Sequence, residues 1–556
     1  MSNKTLLMGA TALVAVAAGF AGAASAAVTT SVYASGSSLV GPYLRQAYDC
    51  YGVPTQLVIK GSSTNNPTYA SPPVTDPATC VTNGPVDTTF QLNYISTGSG
   101  TGLKGFFTHS PSFAGDTIPG TDPSPYPTID SGNAETAMLA GDTTAYVSGG
   151  VDPATGFTFG GSGYAIPQPL YGPMIQIPLL VTPVDLAYNP VYRKIRNADG
   201  TITSYKFNIH APRADGSGGL VLDAATYCAI FNGGYTNWNQ IPAALNGGVS
   251  LQDPAEAANH VAFSVPLVLV GRSDSSGTTS VFTRHLAAQC PSVYSGTIYY
   301  PDFSSTLPTG LYNATTRSWN KANPNYGPGS GVTDVPGQFT GANGSDGVAD
   351  YVEFDPNNVP GPTAGNTVTQ GRIGYVGPDF ALPSVLNTGN NTFGLNTASL
   401  KRNATHIVSP TAATALSAFG NIAAPVGASA EANPLNWVQT PSKTAVIAIP
   451  KNLAAYPIVG TSNLLSYTCY ASATVATKWA AFIDWYFTST VVNTANTGIL
   501  AEAGLSPMPT AWRTRIVQAF AKPTAVTKPY NLNILQAGAG PTSGTGSQCN
   551  AITPGA

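Results

Sequence analysis

The stretch GRSDSSGTTSVFT at Gly271–Thr283 decides the fold of this chain. The apolar run VPLVLV at 265–270 precedes it and predicts a strand, and a helix is predicted to follow over about 278–288. A strand, a turn of Ser and Gly, and a helix form the unit from which crossover α/β folds are built. The same unit occurs twice earlier, with strands predicted over 28–33 and 90–95. Three such units predict an α/β fold with crossover connections.

Each of the three turns has the chemistry of an anion site. A helix N-terminus offers unpaired backbone N–H groups and the positive end of the helix dipole, while Ser and Thr hydroxyls add donors. The turns contain Ser38 before a helix predicted over 39–51, Ser99 before a helix predicted from Leu103, and the sequence SGT at 276–278. One such turn is ordinary helix capping, but three in one chain favour an oxyanion ligand.

The third turn also carries an arginine. The planar, permanently charged fork of Arg272 suits an oxyanion. Asp274 stands two residues further on, where its carboxylate can hold the fork in place. The alternative is a local surface ion pair, which contributes little to stability. The combination of an arginine with Ser and Gly donors makes this turn the most informative candidate site.

The composition is typical of an exported protein and excludes some partners. Of the 556 residues 9% are charged, against about 25% in a typical soluble chain, and the chain is rich in Gly, Pro and Tyr. The net charge is −3 and no basic run is present, so nucleic acid is not an expected partner, whereas one small anion remains possible. Stretches rich in Pro, Gly, Asn and Thr are predicted to be long loop insertions at 62–88, 108–134, 147–173 and 303–345.

The first 26 residues have the pattern of a Sec-type signal peptide. Lys4 supplies the positive charge, Leu6–Phe20 is a short apolar stretch, and Ala24-Ser25-Ala26 is a cleavage site of small residues. A membrane anchor is the alternative, but the apolar stretch is shorter than the roughly 20 residues that a spanning helix needs. We predict cleavage after Ala26, a periplasmic or secreted mature protein, and no membrane span in the mature chain.

The six cysteines predict disulfides and not a metal site. None of them forms a CxxC or another metal-ligand spacing, so no metal and no cofactor are expected. In an exported chain an even number favours three disulfides. Six cysteines allow 15 connectivities and sequence alone does not choose among them. Of these we favour the pairing of sequence neighbours, which is Cys50–Cys80, Cys228–Cys290 and Cys469–Cys549.

The third turn resembles the central motif of a known family. The pattern R-x-D-x-S-G-T followed by x-x-V-F-T, at 272–283, is similar to that of the periplasmic phosphate-binding proteins of phosphate ABC transporters. This resemblance implies that Arg272, Ser276, Gly277 and Thr278 contact the anion. It implies that Asp274 orients Arg272.

The other turns match the same family. Its first turn corresponds to Ser38, whose hydroxyl is implied to bind, and to Leu39, whose backbone N–H is implied to bind although the family usually has an aromatic residue there. Its second turn points to Ser99. The family also has an acidic residue that accepts a hydrogen bond from protonated phosphate, and the sequence SGNAETAM at 131–138 places Glu135 in that role, with Asp130 as the competing candidate.

Further segments match in family order between about residues 30 and 520. These are FNG at 231–233, TNWN at 236–239, NGSDGV at 343–348, GRIGYV at 371–376 and YPI at 456–458. The resemblance implies a two-lobed periplasmic-binding-protein fold with hinge strands and a ligand cleft between the lobes. Lobe I is expected at 27–178 and 457–556 and lobe II at 179–456, and the stretch LLVTPVDLAY near 179–188 is expected to cross between them.

The implied function is binding of inorganic phosphate, or a similar oxyanion, for uptake by an ABC-type permease, without catalysis. A secreted hydrolase is the alternative from another class, yet no GxSxG or HExxH motif is present. A dispersed triad using one of the five histidines stays open, although His285 is expected to be a partly buried helix residue. Weak phosphatase activity at the anion site and a surface scaffold built on the binding fold are the remaining alternatives.

Overall fold

The structure is a computed structural model. It describes residues 28–54, 80, 85–114, 126–138, 140–142, 150–151, 158–159, 171–210, 219–259, 261–272, 274–296, 298, 312–313, 318–319, 339–353, 360–381, 395–420, 422–431, 433–438, 446–495, 497–521, 534–536, 538 and 549–550. The expected signal peptide and its cleavage site lie outside the described residues.

Two sheets dominate the described part of the chain. Their strands, numbered in chain order, are β1 Thr30–Gly36, β2 Phe90–Ser96, β3 Ser131–Ala134, β4 Met174–Pro183, β5 Asp185–Tyr188, β6 Val268–Arg272, β7 Phe339–Ala342, β8 Arg372–Val376, β9 Asn396–Thr397, β10 Val459–Tyr467 and β11 Ser506–Pro507. Smaller sheets and hairpins are formed by Gly150–Val151, Thr158–Phe159, Val191–Arg196, Ile202–Lys206, Val221–Asp223, Tyr312–Asn313, Ser318–Trp319, Thr367–Thr369, Ser399–Lys401, Ile407–Val408, Cys469–Tyr470 and Leu535–Gln536.

The helices pack around these sheets. In chain order they are α1 Gly41–Tyr51, α2 Ser99–Thr108, α3 Ala224–Phe231, α4 Pro254–Ala258, α5 Gly277–Gln289, α6 Gly344–Val352, α7 Pro378–Ala381, α8 Ala412–Phe419, α9 Ala428–Glu431, α10 Ala473–Thr488, α11 Thr490–Asn493, α12 Ile499–Glu502 and α13 Thr510–Ile516. Single turns of 3₁₀ helix lie at Pro111–Ala114, Trp238–Gln240, Ala243–Asn246, Cys290–Ser292, Pro434–Trp437 and Val446–Ala448, and a π-helical turn lies at Val517–Ala521.

Both large sheets contain parallel strands joined by helical crossovers. Among the described residues the first sheet has the order β2-β1-β3-β10-β4-β11, in which β1 runs parallel to β2 and β3 while β10 is antiparallel to β3 and β4. The second has the order β7-β6-β8-β5-β9, with β6 parallel to both of its neighbours. Parallel pairs need crossover connections, so the predicted α/β fold is confirmed.

Two adjacent segments of the chain lie at the junction of the two sheets. The chain leaves the first sheet at Pro183 and enters the second at Asp185, and β10 begins directly after Ile458. The two segments are hydrogen-bonded, because the Val184 N–H donates to the Ile458 carbonyl at 2.9 Å. The fold is two-lobed, and we call the part built on the first sheet lobe I and the part built on the second lobe II. The exact sequence boundaries of the lobes stay a prediction.

The units that flank the three turns form close to their predicted positions, with one error. The helix expected from Leu103 begins at Ser99. Gly98 has a φ of 81°, which allows the chain to turn sharply from β2 into the helix. Residues 99–102, which the sequence suggested as a turn, are therefore the first turn of α2.

Two strands of the large sheets lie within stretches that were predicted to be loops, as do the two-residue strands Gly150–Val151, Thr158–Phe159, Tyr312–Asn313 and Ser318–Trp319. The loop predictions are wrong at these positions. β3 lies in the 108–134 stretch and β7 in the 303–345 stretch. Their sequences, SGNA and FTGA, are short and lack the apolar alternation that identifies a strand. They are strands because each forms a parallel ladder with a neighbouring strand, β3 with β1 and β7 with β6.

The predicted pairing of neighbouring cysteines is confirmed. The disulfides are Cys50–Cys80, Cys228–Cys290 and Cys469–Cys549. Closing loops of 30, 62 and 80 residues restricts the unfolded chain, which stabilises the native state.

The largest cluster of the core includes buried residues of both lobes and is rich in aromatic side chains. In lobe I, Tyr48 packs edge-to-face on Trp479 and Phe482 of the long helix α10. In lobe II, Phe282 of α5 stacks on Tyr375 of β8 with ring centroids 4.5 Å apart, which anchors α5 on its sheet. None of the helices in the described ranges is long and apolar enough to cross a membrane.

Candidate anion-binding site

The N-termini of four helices meet where the lobes face each other. α1 and α2 follow strands of lobe I, and α5 and α6 follow strands of lobe II. The Gly100 N–H in α2 donates to the Ser275 carbonyl, just before α5, at 3.0 Å. The Ser345 N–H in α6 donates to Ser38 Oγ, just before α1, at 3.2 Å. Crevices at the carboxyl ends of parallel strands are the usual ligand sites of such sheets.

Arg272 is the last residue of β6 and only 1% of it is exposed. Its Nε donates to Asp274 Oδ1 at 2.6 Å, and its Nη2 donates to Asp274 Oδ2. Asp274 Oδ1 also accepts the N–H of Gly344 at 3.1 Å, which ties the carboxylate to the start of α6. Asp274 therefore fixes the orientation of the guanidinium, as a bidentate partner does.

The remaining nitrogen of Arg272 faces hydroxyl groups. Nη1 donates to Thr278 Oγ1 at 3.3 Å and to Ser345 Oγ at 3.2 Å. Ser345 Oγ lies 3.4 Å from Ser38 Oγ of lobe I. Ser345 thus connects the arginine of lobe II to the first turn of lobe I.

Two residues at the start of α5 have different functions. Ser276 is the N-cap, and its Oγ accepts the Thr279 N–H at 3.2 Å, which leaves the hydroxyl proton able to donate elsewhere. Gly277 is where lobe I comes closest. A Cβ there would lie 2.4 Å from Ser99 Oγ and 2.7 Å from Glu135 Oε2. The glycine is required by this close approach of the lobes.

Glu135 follows β3, and hydroxyl groups surround its carboxylate. Ser37 donates to Oε1, Ser462 lies 2.7 Å from the same oxygen, and Ser99 donates to Oε2 at 2.8 Å. Only 3% of Glu135 is exposed. The structure therefore brings Ser99 and Glu135 together, although 36 positions separate them.

Asp130, the competing acidic candidate, lies at the opposite end of β3. Its Oδ2 accepts the Tyr33 N–H at 3.0 Å, and burial raises its pKa to about 7. Its hydrogen bonds are to residues of lobe I away from the cleft. Of the two carboxylates, Glu135 is the one that joins the converging helix N-termini.

The backbone N–H of Leu39, which the family resemblance assigns to the ligand, has a partner within lobe I. It donates to Ser37 Oγ at 3.1 Å. The Leu39 side chain is fully buried. A ligand that uses this N–H must share it with Ser37 or replace Ser37.

The charges of Arg272 and Asp274 nearly cancel each other. Burial lowers the pKa of Arg272, but the adjacent Asp274 more than offsets this and its pKa is raised overall, so the guanidinium is charged. Asp346, in the first turn of α6, is buried, which raises the pKa of its carboxyl to about 7 although Arg272 opposes the shift. Since Asp274 balances Arg272, an anion here depends on neutral donors for most of its binding.

His285 lies on α5 but outside the cleft. Its Nδ1–H donates to the Ala448 carbonyl at 2.9 Å and its Nε2 accepts from the Tyr227 hydroxyl at 2.9 Å. Burial lowers its pKa to about 4, so the ring is neutral. It packs α5 against its neighbours, and it is more buried than the sequence suggested. Across the described ranges no three His, Cys, Asp or Glu side chains cluster as metal ligands.

The sequence matches the family model of the PBP superfamily domain over residues 21–490. The chain belongs to the PBP superfamily. That match includes every residue of the candidate site.

Curated relatives of this PBP superfamily chain have two kinds of name. "Alkaline phosphatase L" of Pseudomonas aeruginosa is 27% identical over 429 residues, which are 77% of this chain and 81% of that one. A "Phosphate-binding protein" of an unknown prokaryotic organism is 26% identical over 410 residues, covering 71% of this chain and 88% of that one. The site chemistry must therefore decide between binding and hydrolysis.

Solved structures show the same fold. The high affinity periplasmic phosphate-binding protein PfluDING, bound with phosphate, matches with a TM-score of 0.54 at 22% identity, covering 94% of this chain and 99% of that one. A phosphate-binding protein from Stenotrophomonas maltophilia matches with a TM-score of 0.52 at 22% identity, with coverage of 94% and 99%. The two-lobed PBP architecture is thus shared over nearly the whole chain.

Sequence reasoning missed three hydroxyl groups of this PBP site. Ser345 lies in the quoted NGSDGV segment, which resembles a helix start of the family but was used only as a supporting match, so that Ser345 was assigned no contact with the anion. Ser37 is adjacent to the predicted Ser38. Ser462, within β10, had no local signal, since a serine in a strand is unremarkable without its partner Glu135.

Proposed function

We propose that this protein binds inorganic phosphate, or a close oxyanion, in the cleft between its lobes and delivers it to an ABC-type permease. The observation that carries the proposal is the convergence of four helix N-termini around the buried Arg272. Helix N-termini present unpaired N–H groups and positive dipole ends, which together favour an anion. The PBP family and the names of its relatives support phosphate as the ligand.

The donors that we assign to the anion come from both lobes. They are the hydroxyl groups of Ser38, Ser276 and Thr278, the backbone N–H groups of Leu39, Ser99 and Gly277, and the guanidinium of Arg272, with Asp274 holding Arg272. The Ser99 hydroxyl donates to Glu135 instead. Hydrogen bonds from neutral, oriented donors are stronger in a water-excluded site than in solution. Such a site binds an oxyanion without a large net positive charge.

Glu135 supplies selectivity in this proposal. An ionised carboxylate accepts a hydrogen bond from a protonated phosphate oxygen, whereas it repels sulfate, which has no proton to donate. Glu135 Oε2 adjoins Ser99 and Gly277, both of which are assigned to the anion. We therefore expect phosphate to bind more tightly than sulfate.

The lobes would open and close about the segments at Val184 and Ile458. Hinge closure about a few residues between elements is a common response to ligand in two-lobed binders. We assign lobe I to 27–178 and 457–556 and lobe II to 179–456. Donors of both lobes reach the anion only when the lobes face each other as they do here.

The test is calorimetric titration of the anion-stripped mature protein with phosphate and with sulfate. Arg272→Ala should abolish phosphate binding, while the surface variant Arg196→Ala, which removes a guanidinium that bonds to loop carbonyls, should not. If the wild-type protein binds neither anion, the proposal is wrong. Tight phosphate binding that survives Arg272→Ala would place the site elsewhere.

Hydrolysis of phosphate esters at the same site is the second candidate function. The relatives named "Alkaline phosphatase L" favour it, and Ser99 Oγ lies 2.8 Å from the Glu135 carboxylate, an arrangement in which a base adjoins a hydroxyl nucleophile. Turnover of p-nitrophenyl phosphate that is lost in both Arg272→Ala and Glu135→Gln would establish it. Phosphate binding without turnover supports the purely binding function that we prefer.

Export to the periplasm, or secretion, is the remaining element of the proposal. The signal peptide pattern ending at Ala26 supports it. N-terminal sequencing of the protein recovered from outside the cytoplasm should begin at Ala27. An uncleaved N-terminus on the exported protein would contradict the proposed processing.

A further inference from the structure

The two carboxylate oxygens of Glu135 have different surroundings. Oε1 accepts from the Ser37 hydroxyl and lies 2.7 Å from Ser462 Oγ. Among the described residues, Oε2 accepts from one hydroxyl, that of Ser99 at 2.8 Å. All four side chains are buried, with at most 3% of any residue exposed. The geometry of this buried group is therefore set by the protein and not by solvent.

The two oxygens also face opposite directions. Oε2 adjoins the start of α5 in lobe II, since a Cβ on Gly277 would lie 2.7 Å from it. Oε1 faces into lobe I, because Ser37 follows β1 and Ser462 lies in β10. The ligand side and the structural side of the carboxylate are thus distinct.

The two oxygens of Glu135 differ in how many further hydrogen bonds they can accept. A carboxylate oxygen has two lone pairs. Two hydroxyl donors occupy Oε1, whereas Ser99 occupies only one position on Oε2. Ser462 Oγ also lies 2.6 Å from Asn133 Oδ1, but a carboxylate attracts the single hydroxyl proton more strongly than a neutral amide oxygen. One acceptor position therefore remains on Oε2, on the side of the cleft.

The backbone directs Ser462 toward this carboxylate. The pairing of β10 with β4 shifts register between Ser462 and Asn463. An irregularity of this kind changes the direction in which a strand residue points.

We propose that Ser37 and Ser462 are positioning residues that determine oxyanion selectivity. By holding Oε1 they prevent rotation of the carboxylate and present the free acceptor position of Oε2 to a protonated oxygen of the ligand. The inference rests on the proposed function and extends it. A protonated anion such as phosphate gains a hydrogen bond from this arrangement, and sulfate meets only repulsion.

The test compares the ratio of phosphate to sulfate affinity in three variants by calorimetry. Ser462→Ala removes one donor to Oε1 and should lower the ratio about tenfold, mainly by weakening phosphate binding. Ser462→Thr keeps the hydroxyl and should restore the ratio. Ser466→Ala is the matched control, because Ser466 is a buried serine of the same strand whose Oγ accepts from Trp479 Nε1 at 2.9 Å instead, and it should leave the ratio unchanged.

Ser37→Ala removes the other donor and gives the same test if Ser462→Ala does not fold. An unchanged ratio, or an equal loss for both anions, overturns the inference while the proposed function stands. A wild-type protein that binds neither anion overturns both. A lower ratio of phosphate to sulfate affinity in Ser462→Ala, with an unchanged melting temperature, supports the inference, because a purely structural residue would not distinguish the two anions.

Discussion

Two arginine–carboxylate pairs of lobe II, Arg193–Glu256 and Arg272–Asp274, have buried arginines but differ in the other groups that each guanidinium bonds to. Arg193 donates through Nη1 to Glu256, through Nε to Thr369 Oγ1 at 3.0 Å, and through Nη2 to the Ser264 carbonyl at 2.9 Å. Glu256 is itself fully buried and also accepts from the Tyr192 hydroxyl at 2.7 Å. Each nitrogen of Arg193 therefore has a partner, and both terminal nitrogens, Nη1 and Nη2, bond to groups that cannot rotate away, a buried carboxylate and a backbone carbonyl.

Arg272 is paired as closely with Asp274, yet its Nη1 is held differently. Its partners there are two hydroxyl groups, Thr278 at 3.3 Å and Ser345 at 3.2 Å. A hydroxyl can rotate toward another partner, whereas a backbone carbonyl in a fixed chain cannot. Burial and ion pairing alone therefore do not distinguish an arginine with a structural function from one that is available to a ligand. The replaceable partners on the cleft side make the difference.

Replacing each arginine by alanine should give the largest effects, and the two variants should differ in whether stability or phosphate affinity is lost. Arg193→Ala leaves Glu256 buried without its countercharge and should cost about 3 to 5 kcal/mol of unfolding free energy. Arg272→Ala should destabilise less, because 12% of the Asp274 side chain is exposed, but should weaken phosphate binding at least about 100-fold. Urea unfolding and calorimetry measure the two effects. Equal losses of phosphate affinity in both variants would contradict the comparison.

Protonation of the Asp346 carboxyl group, beside Arg272, should make the stability of the protein depend on pH. Burial raises the pKa of this carboxyl group from 3.8 to about 7, against the opposing effect of Arg272. Between these values the folded protein holds a proton that the unfolded chain releases, so Asp346 makes stability fall as the pH rises from about 4 to about 7. We expect a fall of about 2 to 4 kcal/mol from this group.

Asp346→Asn should flatten this part of the pH profile of unfolding by urea. Other buried acids, such as Asp130, remain in both proteins and cancel in the difference between them. If the difference in unfolding free energy between variant and wild type does not change from pH 4 to pH 7, the carboxyl group of Asp346 does not have the raised pKa. Stability that rises over the same interval because of Asp346 would contradict the expected sign.

Gly277→Ala tests whether phosphate binding needs the close approach of the lobes at the helix that follows Arg272. The added methyl group would lie 2.4 Å from Ser99 Oγ and 2.7 Å from Glu135 Oε2, which forces the lobes apart. We expect phosphate affinity to fall about 30-fold, or about 2 kcal/mol. Gly361→Ala is the control, since its methyl group would meet only the end of the Asn366 side chain. Unchanged affinity in Gly277→Ala would show that the lobes do not need this close approach.

The hydroxyl partners of the two arginines provide the smallest and most specific test. Ser345→Ala removes a partner of Arg272 and a link to Ser38, and should weaken phosphate binding about three- to tenfold with little effect on stability. Thr369→Val removes a partner of Arg193 and should cost about 1 kcal/mol of stability without affecting phosphate affinity. If Ser345→Ala lost only stability and Thr369→Val lost phosphate affinity, Arg193 and not Arg272 would be the arginine that serves the ligand.

Local features of the chain could be predicted well. The three strand–turn–helix units and the ion pair of Arg272 with Asp274 involve residues that are close in sequence or follow simple periodicity. The disulfides close loops of 30 to 80 residues, and the preference for neighbouring cysteines is confirmed for all three. β3 and β7 could not be recognised, because four residues of mixed polarity become a strand only through pairing with β1 and β6. The start of α2 at Ser99 was missed because the positive φ of Gly98 compresses the turn before it.

The sequence by itself determined which segments would present anion donors, because capping residues, glycines and the dipole of a helix act within a few residues of each other. Tertiary structure decided which of those donors meet. Ser345 reaches Ser38 across 307 positions, and Ser462 reaches Glu135 across 327. A serine hydroxyl is small, uncharged and common, so no local pattern distinguishes the few that complete a site. Their significance arises only when the two lobes place a carboxylate or a guanidinium within hydrogen-bonding distance.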